Sequence, residues 1–441
     1  MTARHFFLAA VVAFGAGRVV PAQDTLRLGA LHDAAIRHDP RAAQPEFLRS
    51  ASGLRLTTLD MERRPQLSFN AAASHQSDVT AIGLTLPNQS VPVPPKDRWQ
   101  ATLDVQQLVV DGGSISARQA VERARLAESS AAVDAALYRV RAEVNAAFFG
   151  ALLLEGRLRD FDALMADLDA RLQLARSRVV NGAALPRDTL AIVAERLRAE
   201  LARDEAAAAR RSALAVLERL TGASITESSI LALPDLGTDV ARTIAEGRPE
   251  ALRVRPEFTQ FDRTRDRLDR EAALTRVENR PRVVAFGQAG AGRPGLNQLR
   301  TSADEFWQAG LRFEWRPWTW RNADRATEVL RVQQRIVTTE ERALAEQLAR
   351  AVESDLADMR RLRDALASDA RLVALRTDIA RQVDAQFTEG TITAAEYVEV
   401  RTDVLEANLQ MHRHRTELAQ AEARYLTTLG LAPRSFQSTT P

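Results

Sequence analysis

The apolar positions of the chain follow two alternating periods. Between Ser114 and Val180 no proline occurs, and in the second half of that stretch Leu154, Leu158, Phe161, Met165, Leu168, Leu172, Ala175 and Val179 recur at spacings of four and three. This heptad seam predicts a helix packed along its whole length against others. At about 1.5 Å per residue it is a rod of roughly 100 Å, longer than the core of a globular domain. Asn181-Gly182 stops it, since both residue types accept a left-handed backbone. A return helix is predicted from about Leu185 to Leu220, closing a long antiparallel hairpin.

Ahead of this hairpin the period changes to two. Leu28, Leu31, Ala35 and Ile36 mark a short amphipathic helix broken by Asp39-Pro40; a second helix runs to about Glu62 and is broken by Arg64-Pro65. Leu67, Phe69, Ala71 and Ala73 then alternate with Ser68, Asn70, Ala72 and Ser74, a strand with one apolar face. Pro87, Pro92, Pro94 and Pro95 mark a loop, and Ala101, Leu103 and Val105 alternate with Thr102, Asp104 and Gln106 in a second strand. Asp111-Gly112-Gly113 turns the chain, and Ser114 is expected to cap the long helix.

After Thr221-Gly222 comes a less regular connector, and then the pattern returns. Arg255-Pro256 answers Asp39-Pro40, and Arg280-Pro281 answers Arg64-Pro65 at the same offset. A strand from Val283, a Gly/Pro loop around Gly292-Arg293-Pro294-Gly295 and a strand from Phe306 follow. In the last strand Trp307, Ala309, Leu311, Phe313 and Trp315 alternate with Gln308, Gly310, Arg312 and Glu314. A second long helix is expected from about Asn322 to Thr388, stopped by Glu389-Gly390, with a return helix to Leu429-Gly430. The chain therefore reads as a duplicated unit: 23–222 as the first copy (strand hairpin about 65–110, helical hairpin about 114–220), 223–254 as connector, 255–431 as the second copy (strand hairpin about 281–317, helical hairpin about 322–429), and 432–441 as a tail.

Four strands, apolar on one face and polar on the other, fit an outer-membrane β-barrel, and Trp315, Trp318 and Trp320 at the end of the last strand fit a lipid interface. A soluble sheet packed on helices is the alternative. Four strands cannot close a barrel, and an open edge is not tolerated in lipid, so several chains must share one barrel that the long helices continue as a tube.

Composition narrows the classes. The 441 residues carry a net charge of +2, which gives no one-signed field for nucleic acid, and the abundant arginines read as solvated helix faces. The absence of cysteine removes disulfides, thiolate metal sites and thiol catalysis. Arg4 and His5, the apolar run from Phe6 to Gly17 and the small residues around Val20-Pro21-Ala22 predict a secretory signal over 1–22, cut after Ala22. No later apolar run reaches the roughly 18 residues of a spanning helix.

Together these features resemble the TolC-like outer-membrane efflux and secretion channels. The resemblance runs from about Thr25 to Leu431 and is carried by the paired Arg64-Pro65 and Arg280-Pro281 junctions, the Val110-Asp111-Gly112-Gly113 turn, and the two glycine turns followed by acidic helix starts. It implies a mainly α fold with membrane β-hairpins. It further implies a homotrimer whose twelve-stranded transmembrane barrel stands in outer-membrane lipid on a periplasmic α-helical barrel. A periplasmic adaptor and an inner-membrane transporter complete the machine, with no cofactor and no catalysis. It places Glu396 and Glu399 at the periplasmic constriction, with Asp188 in the acidic place of the first tip beside Arg187. Phe387 and Ile392 stand where the family prototype has a tyrosine and an arginine that bond across helices, and Pro186 also departs from it. The bland reading of these acids is helix-start residues favoured by the macrodipole.

Other candidates carry less. His412 and His414 are two apart on a helix and face different ways, whereas metal-binding pairs need three or four. Gly287-Gln288-Ala289-Gly290-Ala291-Gly292 has phosphate-loop glycines but sits in a strand with no following helix. A periplasmic adaptor and a secreted coiled-coil scaffold are the rival readings. The first needs one strand hairpin with a lipoyl-like domain, and the second needs no aromatic-ended strands.

Overall fold

The computed structural model describes residues 25–79, 93–247, 253–297, 301–318 and 320–431. The signal segment, the tip of the first strand loop and the C-terminal tail lie outside the described residues. The fold is mostly helical. In order it has β1 (Thr25–Leu26), α1 (Leu28–His38), a 3-10 turn (Pro40–Ala43), α2 (Gln44–Met61), β2 (Gln66–His75), β3 (Asp97–Val110), α3 (Ser114–Val180) and α4 (Pro186–Thr221). There follow β4 (Ile230–Leu231), α5 (Gly237–Ala245), α6 (Pro256–Val277), β5 (Arg282–Arg293), β6 (Asp304–Glu314), α7 (Asn322–Glu389) and α8 (Ala394–Thr428). The order helix, strand, strand, long helix, return helix thus occurs at α2–α4 and again at α6–α8.

The sheet has strand order β2-β3-β5-β6, antiparallel throughout, leaving one edge of β2 and one edge of β6 unpaired. Leu67 lies opposite Val105, Phe69 opposite Leu103, Leu103 opposite Ala289 and Ala289 opposite Trp307, so the apolar residues of all four strands share one face. That face is bare: Phe69 is 71 % exposed, Trp307 77 % and Leu311 74 %. Two glycines of the sheet, Gly290 in β5 and Gly310 in β6, have a packing reason. A Cβ on Gly290 would lie 2.3 Å from the Ala101 carbonyl oxygen, and one on Gly310 would strike the Phe286 ring at 2.8 Å.

Two signature turns meet at the base of the sheet. Gly112 and Gly113 have φ of +62° and +91°, a region that favours glycine. A Cβ on Gly112 would sit 2.8 Å from the Cβ of Arg280 and 3.0 Å from the carbonyl oxygen of Pro281. The turn after β3 is therefore pressed against the junction that opens β5. Ser114 is not the cap of α3: the N-cap is Gly113, which has no side chain to offer. Asp111 takes the task, its carboxylate accepting from the Gly113 and Ile115 amides at 2.9 Å each. Although burial works in the other direction, these backbone donors hold Asp111 below the usual carboxylate range.

The main core lies around the middle of α3. Val144, Phe148, Phe149 and Leu152 pack with Leu28 and Leu31 of α1, Leu217 of α4, Leu236 and Val240 beside and within α5, Met359 and Leu362 of α7, and Leu426 of α8. Phe148 and Phe149 meet edge to face at 5.3 Å. The segment read as an irregular connector contributes here, because β4 pairs with β1 in parallel and α5 closes the core. One buried polar chain crosses this region. His32 Nε2–H donates to Asn145 Oδ1 at 2.7 Å, and Asn145 Nδ2 donates to Thr427 Oγ1 at 3.3 Å. Burial pulls the His32 pKa down to about 4. No described helix is long and apolar enough to cross a membrane.

Candidate functional site at the hairpin tips

The two hairpins end on left-handed glycines, Gly182 with φ +70° and Gly390 with φ +81°. A second apolar cluster ties the tips together. Leu164, Leu168, Leu172 and Ala175 of α3, Ile192 and Ala199 of α4, Phe387 of α7, and Ala394 and Tyr397 of α8 form it, with Ile392 packed against it. The heptad positions Leu168, Leu172 and Ala175 thus point where the seam predicts.

Glu396 occupies the third position of α8 and closes a capping box with Thr393. Its Oε2 accepts from the Thr393 amide at 2.9 Å, and the Glu396 amide donates to Thr393 Oγ1 at 3.3 Å. Glu399 is exposed one turn further on. Asp188 sits at the matching place in α4, Oδ2 accepting from the Leu185 amide at 3.0 Å, just after Pro186 at the first helical position. Arg187 is exposed beside it. Asp188 and Glu396 therefore stand in the first turn of their helices, where the macrodipole favours them, whereas Glu399 lies beyond it. Glu396 and Asp188 each commit one oxygen to a backbone amide.

Phe387 and Ile392 face inward. Phe387 is 4 % exposed and stacks on Tyr397 with ring centroids 4.7 Å apart. The Arg178 guanidinium lies over the Phe387 ring and donates to the carbonyl oxygens of Phe387 and Thr388, capping the end of α7. Cross-helix bonding does occur here, and part of it is made by arginines that the sequence reading treats as solvated. Tyr397 OH and Arg401 Nε both donate to Asp167 Oδ2 at 2.8 Å, joining α8 to α3. Arg171 Nε donates to Tyr397 OH at 3.1 Å, and the same guanidinium pairs with Asp384 of α7. Burial, reinforced by the bond to Asp167, raises the Tyr397 pKa, so the phenol stays protonated and donating. The only signals in the sequence are the spacings Asp167/Arg171 and Tyr397/Arg401, each one helical turn, which place the four groups as pairs on single faces.

His412 Nδ1 and His414 Nδ1 bond Asp160 of α3 at 2.7 Å and Asp369 of α7 at 2.6 Å, one on each side of α8. The glycine-rich stretch of 287–292 is strand β5.

This architecture, an antiparallel four-stranded sheet with a bare apolar face set on two helical hairpins near 100 Å long, is the fold of the TolC-like outer-membrane channels. Solved structures of that fold superpose over most of the chain. The channel CusC matches with TM-score 0.67 at 12 % identity, covering 92 % of both chains. The Campylobacter jejuni CmeC outer membrane channel matches with TM-score 0.64 at 13 % identity over 91 % of this chain and 85 % of its own. The open state of the Neisseria gonorrhoeae MtrE outer membrane channel gives 0.64 at 16 % identity over 92 % and 89 %. No family model matches the sequence, and no curated protein matches it.

Proposed function

We propose that this chain is the passive exit duct of a tripartite efflux pump or type I secretion system, carrying solutes out across the outer membrane and catalysing nothing. The observation that carries this reading is the sheet: a bare apolar face on one side, polar side chains on the other, both edges open, and helices about 100 Å long leading from it. Lipid is the solvent that such a face requires, and only closure removes the edges. Three copies of the duplicated unit close a twelve-stranded barrel over a periplasmic α-helical tunnel. The lateral helices support this. Leu190, Leu197 and Leu201 of α4 and Val329, Val332 and Ile336 of α7 leave apolar seams exposed at residues suited to pack against a neighbouring copy. A periplasmic adaptor and an inner-membrane transporter engage the tip end. There Glu396, Glu399 and Asp188 of three chains form carboxylate rings that favour cations in the lumen. Arg171, Tyr397 and Arg401 hold the tip of each chain together, with Phe387, Ile392 and Arg187 as neighbours.

Native mass measurement in mild detergent should give a trimer, and mature protein from the cell envelope should begin at Gln23. In planar bilayers the trimer should be cation-selective and blocked by multivalent cations from the periplasmic side. The pair Glu396→Ala and Glu399→Ala should weaken both while keeping the trimer. A detergent-stable monomer would overturn the shared barrel, and undiminished block in the double variant would return these acids to a capping role.

A further inference from the structure

We infer that Asp104 forms a second, independent carboxylate ring inside the β-barrel, a cation-attracting belt in the outer-membrane lumen far from the hairpin tips. The inference rests on the trimeric barrel proposed above. Asp104 lies in the middle of β3 on the face opposite Leu103, hence the lumenal face if Leu103 meets lipid. It is the one carboxylate of the sheet that is remote from a strand end. The side chains around it are arranged to hold a negative charge. Asn70 Nδ2 donates to Oδ2 at 2.7 Å, Thr102 Oγ1 to Oδ2 at 2.9 Å, and Gln288 Nε2 to Oδ1 at 2.6 Å. Gln308 Nε2 donates in turn to Gln288 Oε1 at 2.6 Å, so a row of polar side chains crosses all four strands and ends on this acceptor.

A row that only fixed strand register would need no charge; amides and hydroxyls suffice. Two other acids of the sheet show the contrast. Asp97 and Glu314, at strand ends, meet His75 and Arg282, whereas among the described residues Asp104 has neutral donors and no cation. An uncompensated charge at membrane depth marks a permeation pathway, and lumenal substitutions tune selectivity in such barrels. Distance permits the effect. Twelve strands about 4.8 Å apart and tilted by about 40° enclose a backbone radius of roughly 12 Å. Three carboxylates standing inside that wall lie about one Debye length, roughly 8 Å, from the axis at physiological salt.

The chain contains no cysteine, which allows a charge-rescue test on the intact trimer. Asp104→Cys, made both in the natural sequence and in the Glu396→Ala, Glu399→Ala background, is reconstituted in planar bilayers. The cation-to-anion permeability ratio is read from the reversal potential in a KCl gradient. Loss of the carboxylate should lower the ratio by about twofold or more at low salt in both backgrounds. An anionic methanethiosulfonate reagent should restore it, and a cationic one should push it lower still. Unchanged selectivity, or labelling without effect, overturns the belt while leaving the duct reading intact. If Asp104→Cys and Asp104→Asn both fail to assemble, Asp104 is a structural group and the belt is likewise overturned. If the natural trimer does not conduct, it is the duct reading that fails, and the belt falls with it.

Discussion

The sheet and the core around Phe148 present opposite chemistry to their surroundings. Around Phe148 the apolar side chains are buried, and a polar chain from His32 through Asn145 to Thr427 runs among them. In the sheet Phe69, Trp307 and Leu311 are bare, and the hydrogen-bonded side chains Asn70, Asp104, Gln288 and Gln308 line the other face. One chain thus carries two solvent assignments. What changes between them is the period of the apolar positions, from 3.5 along α3 to 2 along β3, and with it the medium that the apolar face must meet.

The largest expected effect tests the packed core. Phe148→Ala should cost about 3–5 kcal/mol of stability, because it opens a cavity in a packed core. Phe69→Ala, on the bare face, should leave the detergent-solubilised unfolding midpoint nearly unchanged. Equal losses at the two sites would erase the distinction.

Next comes the bare apolar face of the sheet. Leu311→Arg should cost roughly 2–4 kcal/mol where the face meets hydrocarbon. The loss should appear as impaired assembly in lipid vesicles, with helical circular dichroism preserved. Normal insertion would argue that this face meets water or protein instead.

The buried polar chain sharpens the comparison through pH. His32 ionises near 4 in the fold against an ordinary value of 6.5, so between those values the unfolded chain binds more protons than the folded one. Stability is therefore complete above about pH 6.5 and falls as pH drops toward 4, by roughly 3 kcal/mol in total. Urea midpoints measured across that window should slope accordingly, and His32→Gln should flatten the slope. A natural-sequence midpoint that is level from pH 7 to 4 would mean the imidazole is not enclosed.

The smallest effect lies at the tip. Thr393→Ala removes one capping oxygen and should cost about 1 kcal/mol. Hydrogen exchange should rise at the start of α8 and not in the core around Phe148. Exchange that spreads to the core would mean that the tip and the core unfold as one unit.

The sequence by itself determined the long helices, the four strands of the sheet and the glycine stops between them. Long helices follow from heptad spacing without proline, strands from strict alternation, and stops from glycines at Gly182, Gly222 and Gly390, because these are local steric and solvation preferences. The two faces of the sheet were legible for the same reason: a period of two assigns each side chain to a face before any neighbour is known. The acids Asp188 and Glu396 were also legible as helix starts, though a capping role and a pore role look alike in sequence. Only the tertiary structure decided which residues of distant segments meet. It placed Gly112 against Arg280, drew the connector into the core through β4 and α5, and gave the α3 cap to Asp111 instead of Ser114. It also turned arginines that read as solvated into ties on Asp167 and Asp384, and gathered Asn70, Asp104, Gln288 and Gln308 into one row. The physical reason is that a hydrogen bond between separate elements, or one choice of cap among neighbouring side chains, leaves no period in the sequence. A charged side chain looks the same whether it ends in water or on a partner that folding brings beside it.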